Sequence, residues 1–472
     1  MRLEHDLLGE RTVPEDVYYG IQTLRALENF PITGLTIHPT LIKALALVKR
    51  AAAHANMDIG LLPKEIGQAI VVACTEVEAG HWQDQFVVDP IQGGAGTSIN
   101  MNMNEVLANR AIELLGGRRG DYSLVHPNTH VNMSQSTNDA IPTALRLALL
   151  QRLDATVPSL SALSEEFSRL ASKYDSIVKL GRTHLQDAVP IRAGQEFSGY
   201  AAVIARDARR IEQTKKSLLT VNLGATAVGT GLNADPQYIT RVIAYLKEFS
   251  GYDFVGADNL VDATQNADAL VEVSASFKSA ALNLSKVASD LRLLASGPRG
   301  GLGEISLPPV QPGSSIMPGK VNPVMAEVVT QVAFQIIGND LTISLVAQAG
   351  QLELNVMQPV LIHNILQSAD ILRNVAQVFR EKCVSGIQVN AERCTEHLNN
   401  SVGIVTALSP HLGYEKASLV AKEALTQRRS VAEIVLEKGF LSAQELATIL
   451  QPQELTEPGI AGSQLREKGR GD

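Results

Sequence analysis

The sequence predicts a mostly α-helical chain of three segments, in which the central segment is a long helical bundle. Apolar residues recur with helical spacing over long stretches in the middle of the chain, and aromatic residues make up only 4% of it. Few aromatics suit slim helix contacts filled by Leu, Val and Ala. Charged residues make up only 19%. This low share indicates that part of the surface is buried against other subunits, although many monomeric enzymes have a similar charge content.

The first segment, residues 1–137, is often interrupted by Gly and Pro, and it predicts short helices and loops. The central segment, residues 138–390, has no Gly or Pro between positions 260 and 296. We therefore expect one helix of about 50 Å there. The apolar seam of this helix is Leu270, Val273, Phe277, Ala280, Leu284, Val287, Leu291 and Leu294. Two more seams are Val157, Leu160, Leu163, Phe167, Leu170 and Tyr174, and then Phe197, Tyr200, Ile204, Ala208, Ile211 and Leu218.

Two further helical patterns complete the central segment, over residues 324–337 and 360–379. The third segment, residues 391–472, has Ser and Glu three residues apart at Ser430–Glu433 and Ser442–Glu445. This spacing is typical of the capping box that begins a helix. The third segment is therefore predicted to be a small helical domain.

Composition excludes several classes of protein. A net charge of −8 and a pI near 5.8 do not fit a nucleic-acid-binding surface. The sequence contains no HExxH motif, and we predict no metal site and no cofactor. The first residues lack the apolar stretch of a secretion signal, and no uncharged apolar run reaches the length of about 20 residues needed to span a membrane. We therefore expect a cytoplasmic protein with no membrane partner and no nucleic-acid partner.

Four polar stretches interrupt the apolar pattern, and they carry the candidate site residues. The first, GGAGTSINMNMNE, holds Thr97, Ser98 and Asn100, and the second, NMSQSTNDAIPT, holds Ser136, Thr137 and Asn138. The third, GRTHLQDAVP, holds Thr183 and His184, and the fourth, GSSIMPGKVNP, holds Ser314, Ser315, Lys320 and Asn322. Taken singly, each has an ordinary structural interpretation, such as a helix N-cap, a glycine turn or a hydrogen-bonded histidine.

Together the four stretches supply hydroxyls, amides, one imidazole and one ammonium, with hardly any carboxylate. This set suits a small, doubly negative ligand, and helix N-termini beside the second and fourth stretches would add to the attraction. A neutral serine does not repel such a ligand, and it can act as a base if N–H groups stabilise its alkoxide. Glycines and prolines in residues 297–313 predict a loop that closes Ser314 over the ligand.

The motifs are similar to those of the fumarase/aspartase superfamily. The fourth stretch resembles the signature loop of that family, and QGGAGTSINMNMNEVLANRA, HVNMSQSTNDAIPT, GRTHLQDAVP, VNLGATAVGTGLN, LRLLASGPRGGLGEI and AGQLELNVMQPV resemble family segments in the family order. The resemblance spans nearly the whole chain. It implies a homotetramer whose central helices form one bundle, with each active site shared between three subunits.

The resemblance also implies an activity and roles for the residues. GGAGTS in place of GSGTQ, and QSTND in place of QSSND, favour the branch that reversibly removes ammonia from L-aspartate to give fumarate. Ser314 would be the base that takes the Cβ proton, and Asn138 and His184 would face the amino group. The remaining residues would hold the β-carboxylate (Thr97, Ser136, Thr137 and Ser315) and the α-carboxylate (Thr183, Lys320 and Asn322). Two alternatives remain: a fumarate hydratase, and a non-catalytic helical protein like the lens proteins of the same superfamily.

Overall fold

The computed structural model describes residues 1–468, and it confirms the mostly helical fold. The last four positions of the predicted C-terminal segment lie outside the described residues. The α-helices, in chain order, are α1 Ile21–Asn29, α2 Pro39–Asp58, α3 Lys64–Glu78, α4 Thr97–Leu114, α5 Thr137–Lys173, α6 Ala193–Leu218, α7 Pro236–Ser250, α8 Leu260–Gln265, α9 Asp268–Leu294, α10 Val324–Gln348, α11 Gln358–Lys382, α12 Ala391–Asn400, α13 Val405–Leu412, α14 Tyr414–Gln427, α15 Val431–Glu437, α16 Ala443–Ile449, α17 Pro452–Thr456 and α18 Ser463–Lys468.

Short strands and irregular helices connect the α-helices. The strands are β1 Arg2–Asp6, β2 Gly9–Val13, β3 Val178–Thr183, β4 Gln186–Arg192, β5 Thr220–Val221, β6 Val255–Gly256, β7 Ile305–Ser306 and β8 Gln388–Val389. They form two-stranded sheets in sequence order, β1 with β2, β3 with β4, β5 with β6 and β7 with β8, and only β5 and β6 run parallel. Two 3-10 turns, Gln83–Gln85 and Val384–Gly386, and one π-helical turn, Pro127–Val131, complete the elements.

The chain divides into two compact units. Unit 1 consists of Met1–Pro158, Asp207–Ala281 and Val332–Asn374, and unit 2 consists of Ser159–Arg206, Leu282–Gln331 and Val375–Asp472. Each of the five longest helices, α5, α6, α9, α10 and α11, has residues in both units. The predicted division into three segments follows the order of the chain and not these units, and it stays a prediction.

The three predicted seams lie on the buried faces of α5, α6 and α9, although Val157 is only half-buried and Tyr174 follows the end of α5. All eight seam residues of α9, from Leu270 to Leu294, are at most 6% exposed. The single helix predicted for residues 260–296 is wrong, because Asn266 separates α8 from α9. Asn266 has an extended backbone, and its side-chain amide donates to the carboxylate of Asp262 at 2.7 Å. Its N–H still donates to the carbonyl of Asp262, so Asn266 is the residue at which α8 ends. The helix α9 therefore has 27 residues and is about 40 Å long.

The helix α10 combines a polar anchor with an exposed apolar stripe. Within unit 1, the carboxylate of Asp340 accepts hydrogen bonds from Ser274 at 2.8 Å and from Lys278 at 2.6 Å, so α10 is tied to α9. Phe334, Leu341 and Leu345, at heptad and four-residue spacings, are 65%, 61% and 58% exposed. By length and composition alone, α10 is the one helix among residues 1–468 that could cross a membrane, which is weak evidence because helices of soluble bundles pass the same test.

The C-terminal helices α13 to α16 enclose a small core of their own in unit 2. Leu408, Val420, Ile434 and Ile449 are almost fully buried in it. Both predicted capping boxes are present, at Ser430–Glu433 and at Ser442–Glu445, where each Ser and Glu bonds to the backbone of the other. The helix starts predicted at this end of the chain therefore form by the local rules that their sequence indicated.

Candidate active site

One cavity of unit 1 collects residues of the first two polar stretches. It has a volume of about 650 Å³ and lies at the N-termini of α4 and α5, where Thr97, Ser136 and Thr137 line it. The described residues that line this cavity carry hydroxyls, amides, thioethers and alkyl groups, and they include no carboxylate and no cation. A carboxylate ligand would therefore meet hydrogen-bond donors in the cavity without meeting a negative side chain.

The second polar stretch caps α5, and the cap leaves hydrogen-bonding groups for a ligand. The Ser136 hydroxyl oxygen accepts from the backbone N–H of Asn138 at 3.2 Å, so its hydroxyl proton is available. The side-chain amide of Asn138 donates to the carbonyl of Ala227 at 2.7 Å, which leaves its amide oxygen to accept from an amine. At the N-terminus of α4, by contrast, the Thr97 hydroxyl donates to the carbonyl of Gly94 at 2.7 Å.

The buried carboxylate of Asp139 holds the N-terminal cap of α5 in place. Its two carboxylate oxygens accept from the backbone N–H groups of Ser136, Gly224 and Thr226 at 2.9–3.1 Å. Burial raises the pKa of Asp139 to about 6, and these hydrogen bonds and the nearby Lys49 oppose that rise. The carboxylate therefore joins the start of α5 to the loop that follows β5, which supplies Thr226 to the cavity wall.

The third polar stretch lies at the tip of the β3–β4 hairpin in unit 2. His184 and Leu185 have φ angles of 55° and 60°, and Thr183 pairs with Gln186 across the turn. Two consecutive residues with positive φ are typical of a two-residue type I′ turn. The side chains of Thr183 and His184 are exposed in the single chain. His184 is therefore not a hydrogen-bonded core histidine, which was the structural alternative for this residue.

The fourth polar stretch, also in unit 2, is a closed loop before α10. Its ends approach so closely that a Cβ on Gly313 would lie 2.1 Å from the carbonyl oxygen of Lys320, so only glycine fits there. The side-chain amide of Asn322 donates to the carbonyl of Gly313 at 2.6 Å and clips the loop ends together. Ser315 and Lys320 are exposed beyond this clip.

Ser314 has the surroundings that a serine base requires. Its hydroxyl oxygen accepts from the backbone N–H of Met317 at 3.0 Å and from that of Ile316 at 3.3 Å. Two N–H donors aimed at one hydroxyl oxygen stabilise its deprotonated form more than its neutral form. The loop thus holds Ser314 by the same contacts that would lower the cost of an alkoxide.

A buried carboxylate anchors the chain ahead of this loop. Glu304 is fully buried in unit 2, and it contacts Arg182 at 2.7 Å, His397 at 2.8 Å and Lys179 at 3.0 Å. Burial alone would raise the pKa of Glu304, but the hydrogen bond from Arg182 and the charge of Lys179 outweigh it and lower the pKa to about 2. β7 follows Glu304 directly and pairs with β8. Closure of the loop over a ligand would therefore involve the chain after β7, a shorter part than the predicted residues 297–313.

The structure thus places the ten predicted residues in three groups. Unit 1 brings Thr97, Ser136 and Thr137 around one cavity, with Asn138 beside it. Unit 2 carries the pair at the hairpin tip and the four residues of the loop on separate segments. Sequence reasoning missed the supporting residues Lys49 and Glu304, since a single charge in a buried helix face or loop carries no local signal.

His126 and His130 form an HxxxH pair, which the prediction of no metal site took to be absent from the sequence. The Nδ1 atom of His126 accepts from the N–H groups of Asn128 and Thr129, and the Nδ1 atom of His130 accepts from the N–H of His126. Burial lowers the pKa of both imidazoles. Among residues 1–468, no group of three or more His, Cys, Asp or Glu residues is placed to hold a metal ion.

Comparison with known proteins gives consistent matches over nearly the whole chain. The family model described as lyase matches residues 9–338, and the model described as fumarase C C-terminus matches residues 404–457. The aspartate ammonia-lyase of Bacillus subtilis (strain 168) is 58% identical over 467 residues, which are 99% of this chain and 98% of the relative. That of Helicobacter pylori (strain ATCC 700392 / 26695) is 50% identical over 460 residues, 97% of this chain and 98% of the relative.

Two solved structures share the fold. A fumarate lyase:delta crystallin from Brucella melitensis bound to cobalt has a TM-score of 0.94 and 49% identity, and the match covers 97% of this chain and 100% of that one. A class II fumarase from Schistosoma mansoni has a TM-score of 0.92 and 37% identity, with 97% and 99% covered. Since both the sequence and the fold match over nearly their full length, the chain belongs to the fumarase/aspartase superfamily of lyases.

Proposed function

We propose that this chain is a carbon–nitrogen lyase that reversibly converts L-aspartate into fumarate and ammonia. The observation that carries the proposal is the cavity at the start of α4 and α5, which Thr97, Ser136 and Thr137 line and whose described lining residues include no acid. Relatives 58% and 50% identical over nearly the full chain are aspartate ammonia-lyases, which supports aspartate as the substrate.

In the proposed reaction, Ser314 removes a proton from Cβ of aspartate. The electron pair of the broken C–H bond moves into the β-carboxylate, which becomes an aci-carboxylate with two negative charges. The pair then returns to form the Cα–Cβ double bond as the bond from Cα to nitrogen breaks, and ammonia leaves. The N–H groups of Ile316 and Met317 favour the alkoxide of Ser314 that the first step needs.

The other predicted residues hold the substrate in this proposal. Each hydroxyl donor that strengthens its bond as the β-carboxylate gains charge contributes about 3 kcal/mol to lowering the barrier. Lys320 is a cation on an exposed loop without acids, as binding of a second carboxylate requires. The proposed contacts are Thr97, Ser136, Thr137 and Ser315 with the β-carboxylate, Thr183, Lys320 and Asn322 with the α-carboxylate, and Asn138 and His184 with the amino group.

The test is turnover of aspartate compared with malate, followed as the ultraviolet absorbance of fumarate. We expect fumarate from L-aspartate and at most a trace from L-malate. Fumarate from malate alone would replace the proposal with the hydratase, which the class II fumarase match keeps as the second candidate. A protein inactive on every amino- or hydroxy-dicarboxylate would instead support a helical structural protein.

We further propose that the protein is a cytoplasmic homotetramer that assembles each active site from three chains. The exposed apolar stripe of α10, with Phe334, Leu341 and Leu345, supports an assembly in which these residues are buried between helices. The mass in solution, measured by light scattering after size exclusion, should be four times 50.6 kDa. A monomer with full activity would rule out the shared site.

A further inference from the structure

Lys49 is a buried lysine whose only hydrogen-bonding partner among the described residues is an asparagine. It lies on α2, is fully buried, and its ammonium donates to the side-chain oxygen of Asn132 at 2.9 Å. Burial lowers the pKa of Lys49 to about 7, although the nearby Asp139 opposes this. A buried amine needs a hydrogen-bond acceptor. Asn132 supplies it at the wall of the cavity in unit 1.

The contact with Lys49 fixes which way the Asn132 amide points. In its charged form Lys49 has only donors, so the oxygen of Asn132 faces the ammonium. On its other side, the Asn132 NH₂ group donates to the carbonyl of Gln135 at 3.2 Å, and a carbonyl can only accept. Rotating the amide by 180° would break both bonds, so its orientation is determined from both sides.

The fixed oxygen of Asn132 in turn orients two more amides. The NH₂ groups of Asn100 and Asn104 donate to this oxygen at 3.0 and 3.2 Å. Both side chains are buried on α4, and their own side-chain oxygens have no hydrogen-bond partner among residues 1–468. Since an unpaired buried acceptor is unfavourable, this arrangement requires an orientation imposed from outside the two residues, and Lys49 imposes it through Asn132.

Only one of these two amides reaches the proposed substrate site. The NH₂ group of Asn100 also donates to the hydroxyl oxygen of Thr137 at 3.3 Å, whereas Asn104 has no bond to Thr137. An oxygen that accepts this bond keeps its own proton for another acceptor. Thr137 lines the cavity, so a carboxylate bound there is the acceptor that the geometry leaves open.

We propose that Asn100 is a positioning residue that turns the Thr137 hydroxyl toward the substrate carboxylate, and that Lys49 and Asn132 hold Asn100 in this orientation. This inference rests on the proposed function, since it takes Thr137 as a carboxylate donor. It adds three residues to the site, of which Asn100 and Asn132 line the cavity and Lys49 lies behind its wall. In this proposal their effect on the substrate carboxylate passes through Thr137.

A double-mutant cycle tests whether Asn100 acts through Thr137. We expect Asn100→Ala to lower kcat/KM for aspartate about tenfold, as loss of one hydrogen bond to a charged group does. In a Thr137→Val background, which already lacks the hydroxyl, the same change should have an effect of less than about twofold, the non-additivity of two residues that share one interaction. Lys49→Met should show the same coupling to Thr137→Val.

The matched control is Asn104→Ala, because Asn104 is as buried as Asn100 and shares its bond to Asn132. We expect this variant to stay within about threefold of the parent and to be additive with Thr137→Val. We call the chain of contacts from Lys49 through Asn132 and Asn100 to Thr137 the relay. Equal losses for both asparagines, or additive losses for Asn100→Ala and Thr137→Val, would overturn it. If Asn100→Ala does not fold, Asn100→Asp replaces it, since a carboxylate there would accept the Thr137 proton and weaken binding further.

Binding of succinate, measured by calorimetry on the same variants, separates the two proposals. Succinate has both carboxylates but no group to eliminate, so it reports on Thr137 without turnover. Weaker succinate binding in Asn100→Ala but not in Asn104→Ala supports the relay even if the parent converts no aspartate. Normal aspartate turnover with equal succinate binding in all variants would refute the relay and leave the lyase proposal intact. A parent that neither binds succinate nor converts aspartate would overturn both.

Discussion

Replacing Glu304 with glutamine should destabilise the protein in a pH-dependent way. Glu304 is fully buried, and its contacts join three parts of unit 2: β3 through Lys179 and Arg182, α12 through His397, and the chain that leads to β7. Lys179 itself is only 4% exposed. Glu304→Gln keeps the shape but removes the negative partner of Arg182 and His397, and it leaves Lys179 with Glu196 alone, in a largely buried place.

The magnitude follows from the pKa of Glu304, which is lowered from 4.5 to about 2. At about 1.4 kcal/mol for each pH unit, the interactions of the charged form contribute about 3 kcal/mol to the free energy of unfolding. Because the folded-state pKa is the lower one, this stability is fully present above about pH 4.5 and is lost as the pH falls toward 2. For a chain of 472 residues, about 3 kcal/mol corresponds to a shift in Tm of about 3 °C.

Scanning calorimetry at one scan rate, from pH 7 down to the acid limit of the parent, measures this shift. Glu196→Gln is the matched control, since Glu196 also pairs with Lys179 at 3.0 Å but its side chain is 22% exposed. A partly exposed pair contributes at most about 1 kcal/mol, so the control should lower Tm by about 1 °C or less. The two variants share one cation and differ in how deeply the carboxylate is buried.

Two results would refute this reasoning. One is a Glu304→Gln variant whose Tm at pH 7 lies within 1 °C of the parent, as for the control. The other is a difference in Tm that persists unchanged below pH 4, where Glu304 of the unfolded parent becomes protonated. The first result would mean that Lys179, Arg182 and His397 find water or other acceptors, and the second that the loss has a steric cause.

Three further predictions concern the proposed lyase site. Ser314→Ala should remain folded and lose at least about a hundredfold in kcat, the lower range for a lost general base, and near-normal turnover would assign the base elsewhere. Lys320→Ala should raise KM for aspartate and lower kcat, because a misplaced α-carboxylate misaligns the Cβ proton; an unchanged kcat/KM would remove Lys320 from the site. Ser314→Ala and His184→Ala chains that are denatured together and refolded should regain activity that neither has alone, and hybrid tetramers that stay inactive would place each site within one chain.

The buried faces of the helices were predictable where apolar residues recur at regular spacing along the chain. The seams of α5, α6 and α9 are periodic, so their buried faces could be predicted from spacing alone. The break at Asn266 was not predictable in this way, because it lies in the extended backbone of one residue and leaves the apolar spacing of α9 unchanged. The β3–β4 hairpin was also missed, since its turn, His184–Leu185, lacks the Asn-Gly or Asp-Gly pair that usually marks a type I′ turn.

The candidate site was predictable to the extent that its residues cluster in sequence. The hydroxyls and amides of each polar stretch share a loop or a helix N-terminus, and the chain itself keeps them together. Lys49 and Glu304 could not be predicted in this way, because their partners lie 83 or more residues away in the sequence. Examples are the contacts of Lys49 with Asn132 and of Glu304 with His397. A buried charge becomes informative only when the fold shows what it pairs with.

The structural and functional interpretations of the polar stretches turn out to describe the same hydrogen bonds. Ser136 caps α5 by accepting from the N–H of Asn138, and a hydroxyl that accepts in this way retains a proton to donate. Ser314 accepts from the N–H of Met317, which both shapes the loop and favours the alkoxide. Asn100 extends this logic to Thr137 through a side chain. In each case the hydroxyl oxygen accepts a hydrogen bond from an N–H group of the protein. The hydroxyl proton therefore remains for a bond to a dicarboxylate or for transfer as the alkoxide forms.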